Sequence, residues 1–382
     1  MAGAHEELRA DEMTMDAAPP VLPTEHGPLS LPAFFPDATR AVVRALDAQD
    51  LETCSVQGLV VNTFHLASHP GTSVIASLGG IHSLMGWNGP ILSDSGGFQV
   101  FSLLHQSPQS GSVSGKGFHY RLGRGGRRKT LTPEGCIQKQ FRMGSDILVC
   151  LDHCTHPGEP PEEQRRSVEH TIQWARACRS EFDRLAEQKG RRPLLFAVIQ
   201  GGDDVGLRRR CAEELLEIGF DRYGFGGWPV TDDGRLRETV HAVAELVPPG
   251  HALWGLGIGK PEHVVESVAL GYQLFDCVIP TRDARHRRLY VFHAPPKEAR
   301  LKDGDFYECV YLQDEKHVRD DSPLDPECDC PCCRRYSRAY LHHLFRVGDS
   351  LAHRLATIHN LRFYTRLMQA MRERPETPDA DT

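Results

Sequence analysis

The sequence predicts an α/β protein of the (β/α)8, or TIM, barrel class, and three observations carry that prediction. Between about residues 20 and 300, short β-branched apolar runs alternate with longer amphipathic stretches, which is the rhythm of βα units. The runs close in polar or glycine-rich residues and no phosphate-binding GxGxxG appears, which favours a barrel over a dinucleotide-binding fold. A chain of 382 residues, 40% of them hydrophobic, can bury one large core or two ordinary ones.

Five strand-like runs are clear: GLVVNTFHL (58–66), PILSDSGGFQ (90–99), DILVCLDHCT (146–155), LLFAVIQGG (194–202) and YQLFDCVIPTR (272–282). Between the third and fourth, the stretch after Pro160 and Pro161 repeats Val168, Ile172, Ala175, Cys178, Phe182 and Leu185 at helical spacing, so a long helix should lay that stripe on the sheet. Chemistry in such barrels sits at the C-terminal ends of the strands. The polar residues there are Asn62 and His65, Asp94 and Ser95, Asp152, Gln200, and Asp276. Each alone could be a helix cap or a turn residue; three carboxylates and a glutamine at equivalent strand ends point to a site.

After residue 300 a polar segment leads into CDCPCC and then a long helical pattern rich in His, Arg and aromatics. Cys328, Cys330, Cys332 and Cys333 precede His342, His343, His353 and His359. Thiolates packed this tightly suit a metal, and Zn²⁺ takes four N or S ligands in a tetrahedron. The spacing favours Cys328, Cys330 and Cys333 with one of the histidines. Four protein ligands leave no open position, so the ion would be structural.

The twelve cysteines are spread through a long chain whose first twenty residues lack the basic-then-apolar order of a signal peptide, which suggests a reduced, cytoplasmic protein. No apolar run reaches the roughly 18 to 20 residues needed to cross a bilayer. Residues 1–20 and 373–382 are expected to be disordered. A net charge of −7 argues against indiscriminate nucleic-acid binding. Two basic clusters run against it: Arg121, Arg124, Arg127, Arg128 and Lys129, and Arg282, Arg285, Arg287 and Arg288. Composition alone favours solvated surface for both.

The ordered motifs NTFHL with HPG, ILSDSGGFQVFSL, LTPE with GSDI and LDHCT, FAVIQGG, FGGW, GLGIGKPEHVVESV, FDCVIPTRDARH, PLDPECDC, and SRAYLHHL with HNLRFY resemble those of the tRNA-guanine transglycosylases, the queuine tRNA-ribosyltransferase family, in its bacterial single-chain form. The resemblance covers about residues 22 to 372. It implies a barrel catalytic domain over 21–372 with a zinc-binding subdomain inserted at about 300–360, a homodimer, and exchange of guanine at the wobble position of certain tRNAs for a 7-deazaguanine. Carried over, the nucleophile falls on Asp276 and the second catalytic carboxylate on Asp94. Phe98 would stack on the base, Asp152, Gln200 and Gly227 would read its edge, and Ser95, Gly96 and Gly97 would line the pocket. RNA contacts fall on Gly257, Ile258, Gly259, Lys260, Pro261, Glu262 and His263, and on Thr281, Arg282, Asp283, Ala284 and Arg285. The zinc ligands fall on Cys328, Cys330, Cys333 and His359, one structural ion per subunit.

The chemistry fits these residue types. Exchanging a base on an intact ribose breaks a glycosidic bond at C1′, and a carboxylate that captures C1′ divides this into two displacements. Asp276 suits that role if ionised, which neighbouring Arg282 and Arg285 would favour. A second carboxylate, Asp94, would protonate the departing base and deprotonate the incoming one. Where the family reads the side group of the incoming base, the chain departs from the bacterial pattern with Trp228, Pro229, Val230, Thr231 and Asp232. The incoming base is therefore preQ1, which Val230 favours, or the larger queuine. Asp283, His286 and the basic RLGRGGRRK are further departures. Two rivals are a relative acting on DNA, which nothing here selects, and a non-catalytic tRNA-binding partner subunit, which would lack one of the carboxylates present here.

Overall fold

A computed structural model describes residues 20–123 and 125–373. Residues 1–19, Arg124 and residues 374–382 lie outside it, and with them nearly all of the two ends expected to lack order.

Eight parallel strands make the centre: β1 (Ala33–Pro36), β2 (Leu59–Asn62), β3 (Ile91–Asp94), β4 (Ile147–Val149), β5 (Leu194–Ile199), β6 (Arg222–Phe225), β7 (Leu253–Leu256) and β8 (Tyr272–Cys277). In space they follow β1-β8-β7-β6-β5-β4-β3-β2. The ring closes just beyond β1, where Asp37 bridges Val60 of β2 and the Ala38 N–H donates to the Val60 carbonyl at 2.7 Å. The predicted barrel is therefore present. Strands β1, β6 and β7 were not among the clear runs. Each is only four residues long, AFFP, RYGF and LWGL, and Pro36, Gly224 and Gly255 break their apolar pattern.

Successive side chains on a strand face opposite ways. One face supplies the barrel interior, a separate apolar cluster of Ala33 and Phe35, Val60, Leu92, Ile147 and Val149, Phe196 and Val198, Trp254 and Leu274. The hairpin that pairs Val21–Leu22 with Leu29–Ser30 adds Leu22 and Leu29 to it at the N-terminal end of the barrel. Two residues beyond Val60, Leu92, Val198 and Leu274, the same inward positions hold Asn62, Asp94, Gln200 and Asp276. The strand period thus converts an apolar plug into a polar floor at the C-terminal mouth.

The opposite strand faces pack on helices. The helix Pro161–Lys189 starts on Pro161 with Glu162 and Glu163 in its first turn, ends at Gly190 with φ 60°, and buries all six stripe residues expected. Burying a Val, Leu, Ile or Phe side chain contributes about 1.5–3 kcal/mol each.

Beyond β8 the chain forms a helix (Ile279–Arg285), an antiparallel pair (Arg288–Phe292 with Tyr307–Tyr311), and three helices, Pro331–Arg335, Arg338–Val347 and Ser350–Arg372. Asn360, fully buried, fastens the last helix: its Oδ1 accepts the Tyr290 N–H at 3.2 Å, and its Nδ2 donates to the Pro280 and Arg288 carbonyls at 3.0 Å each. No helix among the described residues is long and apolar enough to cross a membrane. All twelve cysteines are free thiols rather than disulfides.

Candidate active site

Asp94 ends β3 and Asp276 lies one residue from the end of β8. Asp152 follows β4 by three residues and Gln200 follows β5 by one. Each carboxylate is held by a neighbouring donor. The Asn62 Nδ2 donates to Asp94 Oδ2 at 2.7 Å and to Gln99 Oε1 at 2.8 Å, while its Oδ1 caps the next helix by accepting the His65 N–H at 3.3 Å. Asn62 is thus both a helix cap and a support for Asp94. The Gln200 Nε2 donates to Asp152 Oδ2 at 2.6 Å. The Trp254 Nε1 donates to Asp276 Oδ1 at 2.8 Å.

All three carboxylates keep a path to solvent, yet they sit deep enough to lose much of their hydration. Burial raises Asp94 to about 6, against the Gly96 and Ser95 N–H groups and the Asn62 amide. Burial raises Asp152 to about 7, opposed by Gln200 and reinforced by the charge on Asp94. Burial raises Asp276 to about 7, opposed by the Trp254 indole and the Gly257 N–H and reinforced by Asp94 and Asp37. Like charges press on one another here, so the ionisations belong to the set rather than to single residues. Carboxylates that change charge near neutrality suit proton transfer.

Glycines make the space between them. Gly224 faces inward, and a Cβ there would lie 3.0 Å from Trp254 Cε3. Gly226 likewise leaves no room for a Cβ against the Gln200 amide. Gly96 has φ 83°, and a Cβ there would stand 2.7 Å from Phe64 Cβ. Gly97 packs on the Asp152 carbonyl, and its N–H donates to the buried Ser95 hydroxyl at 3.2 Å. At the rim, Phe98 is 42% and Trp228 37% exposed, with ring centroids 6.0 Å apart edge to face. The Trp228 Nε1 donates to the Thr155 carbonyl at 3.2 Å, which ties the loop after β6 to the loop after β4.

Over residues 17–376 the chain matches the family described as TGT: Queuine tRNA-ribosyltransferase. It is 38% identical over 349 residues to the Queuine tRNA-ribosyltransferase of Psychrobacter sp. (strain PRwf-1), covering 91% of this chain and 87% of that one. Against the proteins of the same name from Aliivibrio salmonicida (strain LFI1238) and Shewanella sp. (strain ANA-3) the identity is again 38%, over 353 and 361 residues. Those alignments cover 91% and 94% of this chain and 88% and 90% of the relatives. The chain belongs to the queuine tRNA-ribosyltransferase family.

The two stretches that the family resemblance gives to RNA flank β7 and β8. In the first, Gly257 and Lys260 are exposed, whereas Ile258, Gly259, Pro261 and His263 are buried and Glu262 accepts the Tyr307 hydroxyl at 2.6 Å. In the second, Thr281, Asp283 and Ala284 are buried in the helix Ile279–Arg285, with Asp283 accepting the Tyr290 hydroxyl at 2.6 Å. The side chains that reach outward are those of Lys260, Arg282 and Arg285.

The four expected metal ligands come together. The ligand atoms of Cys328, Cys330, Cys333 and His359 lie within 4.8 Å of one another, and all four residues are buried. His359 Nδ1 stands 3.2 Å from Cys333 Sγ and 3.8 Å from Cys330 Sγ, close to the edge of about 3.5–3.8 Å of a tetrahedron with zinc-like bond lengths. Its Nε2 lies 2.7 Å from the Tyr290 carbonyl, which can only accept, so the ring proton sits there and Nδ1 is free to bind a metal. Cys332, equally buried, stands outside the group. This set could hold one metal ion.

Several supports escaped the sequence reading. Trp254 and the Gly257 N–H, rather than Arg282 and Arg285, are the main groups favouring a charged Asp276. Arg285 instead donates to the Thr281 carbonyl at 2.8 Å, and Arg282 lies 3.7 Å from Asp283. Arg208, 1% exposed, ties the end of β5 to the end of β6 by donating to the Ile199, Gly202 and Gly226 carbonyls at 2.8, 2.9 and 3.0 Å. A tryptophan in LWGL and an arginine in a helix carry no sequence signal of such pairing; only the register of β7 on β8, Leu256 beside Asp276, supplies it.

Proposed function

We propose that the protein is a tRNA-guanine transglycosylase that exchanges guanine-34 in the GUN anticodons of the Asp, Asn, His and Tyr tRNAs for preQ1, in queuosine biosynthesis. The observation that carries this is the ring of Asp94, Asp152 and Asp276 at one barrel mouth, all raised towards neutrality, with one amide or indole donor apiece.

In this reading an Asp276 oxygen attacks C1′ of nucleotide 34 as the C1′–N9 bond breaks, leaving a ribosyl ester on Asp276. Asp94 gives its proton to the departing guanine, then takes the proton of the incoming deazaguanine as that base attacks C1′ and frees Asp276. Two inversions preserve the configuration. Asp152 accepts from the N1–H and N2–H₂ of the base. The second Gln200 N–H, with the Gly227 N–H, is left for O6. Adenine reverses this pattern, leaving buried groups unpaired at about 1–3 kcal/mol each. Phe98 stacks on the extruded base, with Ser95, Gly96 and Gly97 lining the pocket. Lys260, Arg282 and Arg285 hold phosphates.

Preference for preQ1 over queuine rests on Val230 in the loop after β6, beside Trp228, whose indole is tied to the Thr155 carbonyl at the rim. The metal is proposed to be one structural zinc, which fits the thiol-rich donor set and would clamp the inserted subdomain at about 300–360 to the barrel domain spanning 21–372. A cytoplasmic homodimer completes the reading.

Incorporation of labelled guanine into a tRNA transcript tests it. Exchange is expected in the wild type and absent in Asp276→Ala; full exchange in the variant would overturn the nucleophile. Competition between preQ1 and queuine on one transcript is expected to favour preQ1, and preferential uptake of queuine would reverse that choice.

A further inference from the structure

The basic stretch after β3 forms part of a small antiparallel sheet, Gly111–Ser114, Gly117–Arg121 and Arg128–Leu131. It precedes the helix Pro133–Met143 that leads back to β4, so it belongs to the loop region at the mouth that carries Asp94. The sheet is fastened from beneath. Phe118, Tyr120 and Leu131 are buried, and the Trp174 Nε1 donates to the Gly115 carbonyl at 2.8 Å. Phe118 lies 5.8 Å from the ring of His153, beside Asp152, and Tyr120 lies 5.6 Å from Phe64.

On the exposed end, Arg121 and Arg128 are direct cross-strand partners. Like charges opposite each other destabilise a strand pair. Arg121, Arg127, Arg128 and Lys129 are all exposed, and none makes an ion pair among the described residues. Behind them Lys139 is pushed down by burial and further by Arg142 and Lys129. A protein of net charge −7 has carboxylates enough to neutralise such a cluster, yet leaves it bare on a rigid support at the mouth.

We propose that this sheet is a phosphate clamp, in which Arg121, Arg128 and Lys129 bind the sugar-phosphate backbone of the RNA whose base enters the pocket. The inference rests on the tRNA reading above. It gives the protein a binding surface on the β3–β4 side of the mouth, distinct from Lys260, Arg282 and Arg285 beside β7 and β8.

Anisotropy binding of a tRNA transcript to the full chain, repeated across salt concentrations, tests the clamp. The Arg121→Ala/Arg128→Ala variant should loosen Kd roughly tenfold at ~0.1 M salt and lower the log–log salt slope by about 2, near one per lost phosphate contact. The loss should appear in exchange as a raised KM for tRNA and a lowered kcat/KM. Arg121→Glu separates binding from folding, because it turns the like-charge pair into an opposite-charge pair: its melting temperature should equal or exceed that of the wild type while RNA affinity falls. Unchanged Kd and salt slope in both variants, with the wild type exchanging guanine, would overturn the clamp alone. A wild type that neither binds nor exchanges would overturn the tRNA reading and the clamp with it.

Discussion

Trp254→Phe isolates what holds Asp276 ready. The substitution keeps an aromatic ring beside Gly224 but removes the N–H that donates to Asp276 Oδ1 at 2.8 Å. A hydrogen bond to a charged acceptor contributes about 1.5–3 kcal/mol, and 1.36 kcal/mol corresponds to one pKa unit, so Asp276 should rise by about 1–2 units. It already stands at about 7, which places the variant between about 8 and 9. The assay is kcat/KM for labelled-guanine exchange from pH 5.5 to 9.5, which reports ionisations of the free enzyme. The ratio of variant to wild-type activity, in which the ionisation of Asp94 cancels, should rise with pH through that range. At pH 7 the ionised fraction should fall from roughly a half to between about a tenth and a hundredth, a loss of about 5- to 50-fold. At pH 9 the variant should come within about twofold of the wild type measured at the same pH. A variant whose activity is lowered by the same factor at every pH from 5.5 to 9.5 would refute the role of the indole N–H and leave Trp254 only a packing role.

Other consequences are equally specific. Cys333→Ser should lose bound metal and melt far below the wild type, since structural zinc in small domains is worth on the order of 10 kcal/mol, while Cys332→Ser should retain one equivalent by elemental analysis. Because folding raises Asp276 from its ordinary 3.8 to about 7, the native state binds that proton more tightly; its contribution is present below about 4, falls as pH climbs to 7 and is flat above. Asp276→Asn should therefore melt higher than the wild type at pH 8, by a few degrees, and lose the advantage by pH 4, as differential scanning calorimetry would show. Gly224→Ala puts a Cβ 2.5 Å from Leu256 Cδ1 and 3.0 Å from the Trp254 ring; overpacking costs about 1–3 kcal/mol, and the indole displaced along with Leu256 should lower exchange roughly tenfold at pH 7, with the deficit relative to the wild type shrinking at pH 9.

The barrel was legible because buried parallel strands are apolar runs that end abruptly in polar residues, and five of the eight strands had that form. The other three, AFFP, RYGF and LWGL, are too short and too interrupted by proline or glycine to show a period. Their interruptions have causes visible only in three dimensions: Gly224 is small because Trp254 and Leu256 fill the space inside the barrel beside it. The metal group was legible through thiol crowding, but only the family resemblance selected His359 over three other histidines, since spacing along a helix does not say which face meets the cysteines. Local sequence misjudged the arginines beside Asp276. Arg282 and Arg285 are close in the chain, yet the helix Ile279–Arg285 turns them onto Asp283 and the Thr281 carbonyl, and a tryptophan 22 residues upstream makes the contact instead.

The central claim is that Asp276 carries the ribose between two bases. Incubating the enzyme with tRNA and rapidly denaturing it before an acceptor base is added should trap a protein–RNA adduct, which peptide mass spectrometry would place within FDCVIPTR on Asp276. The account predicts that adduct in the wild type, its disappearance when preQ1 is supplied, and none in Asp276→Asn. An adduct on Asp94, or active exchange with the ester sought and absent, would contradict it.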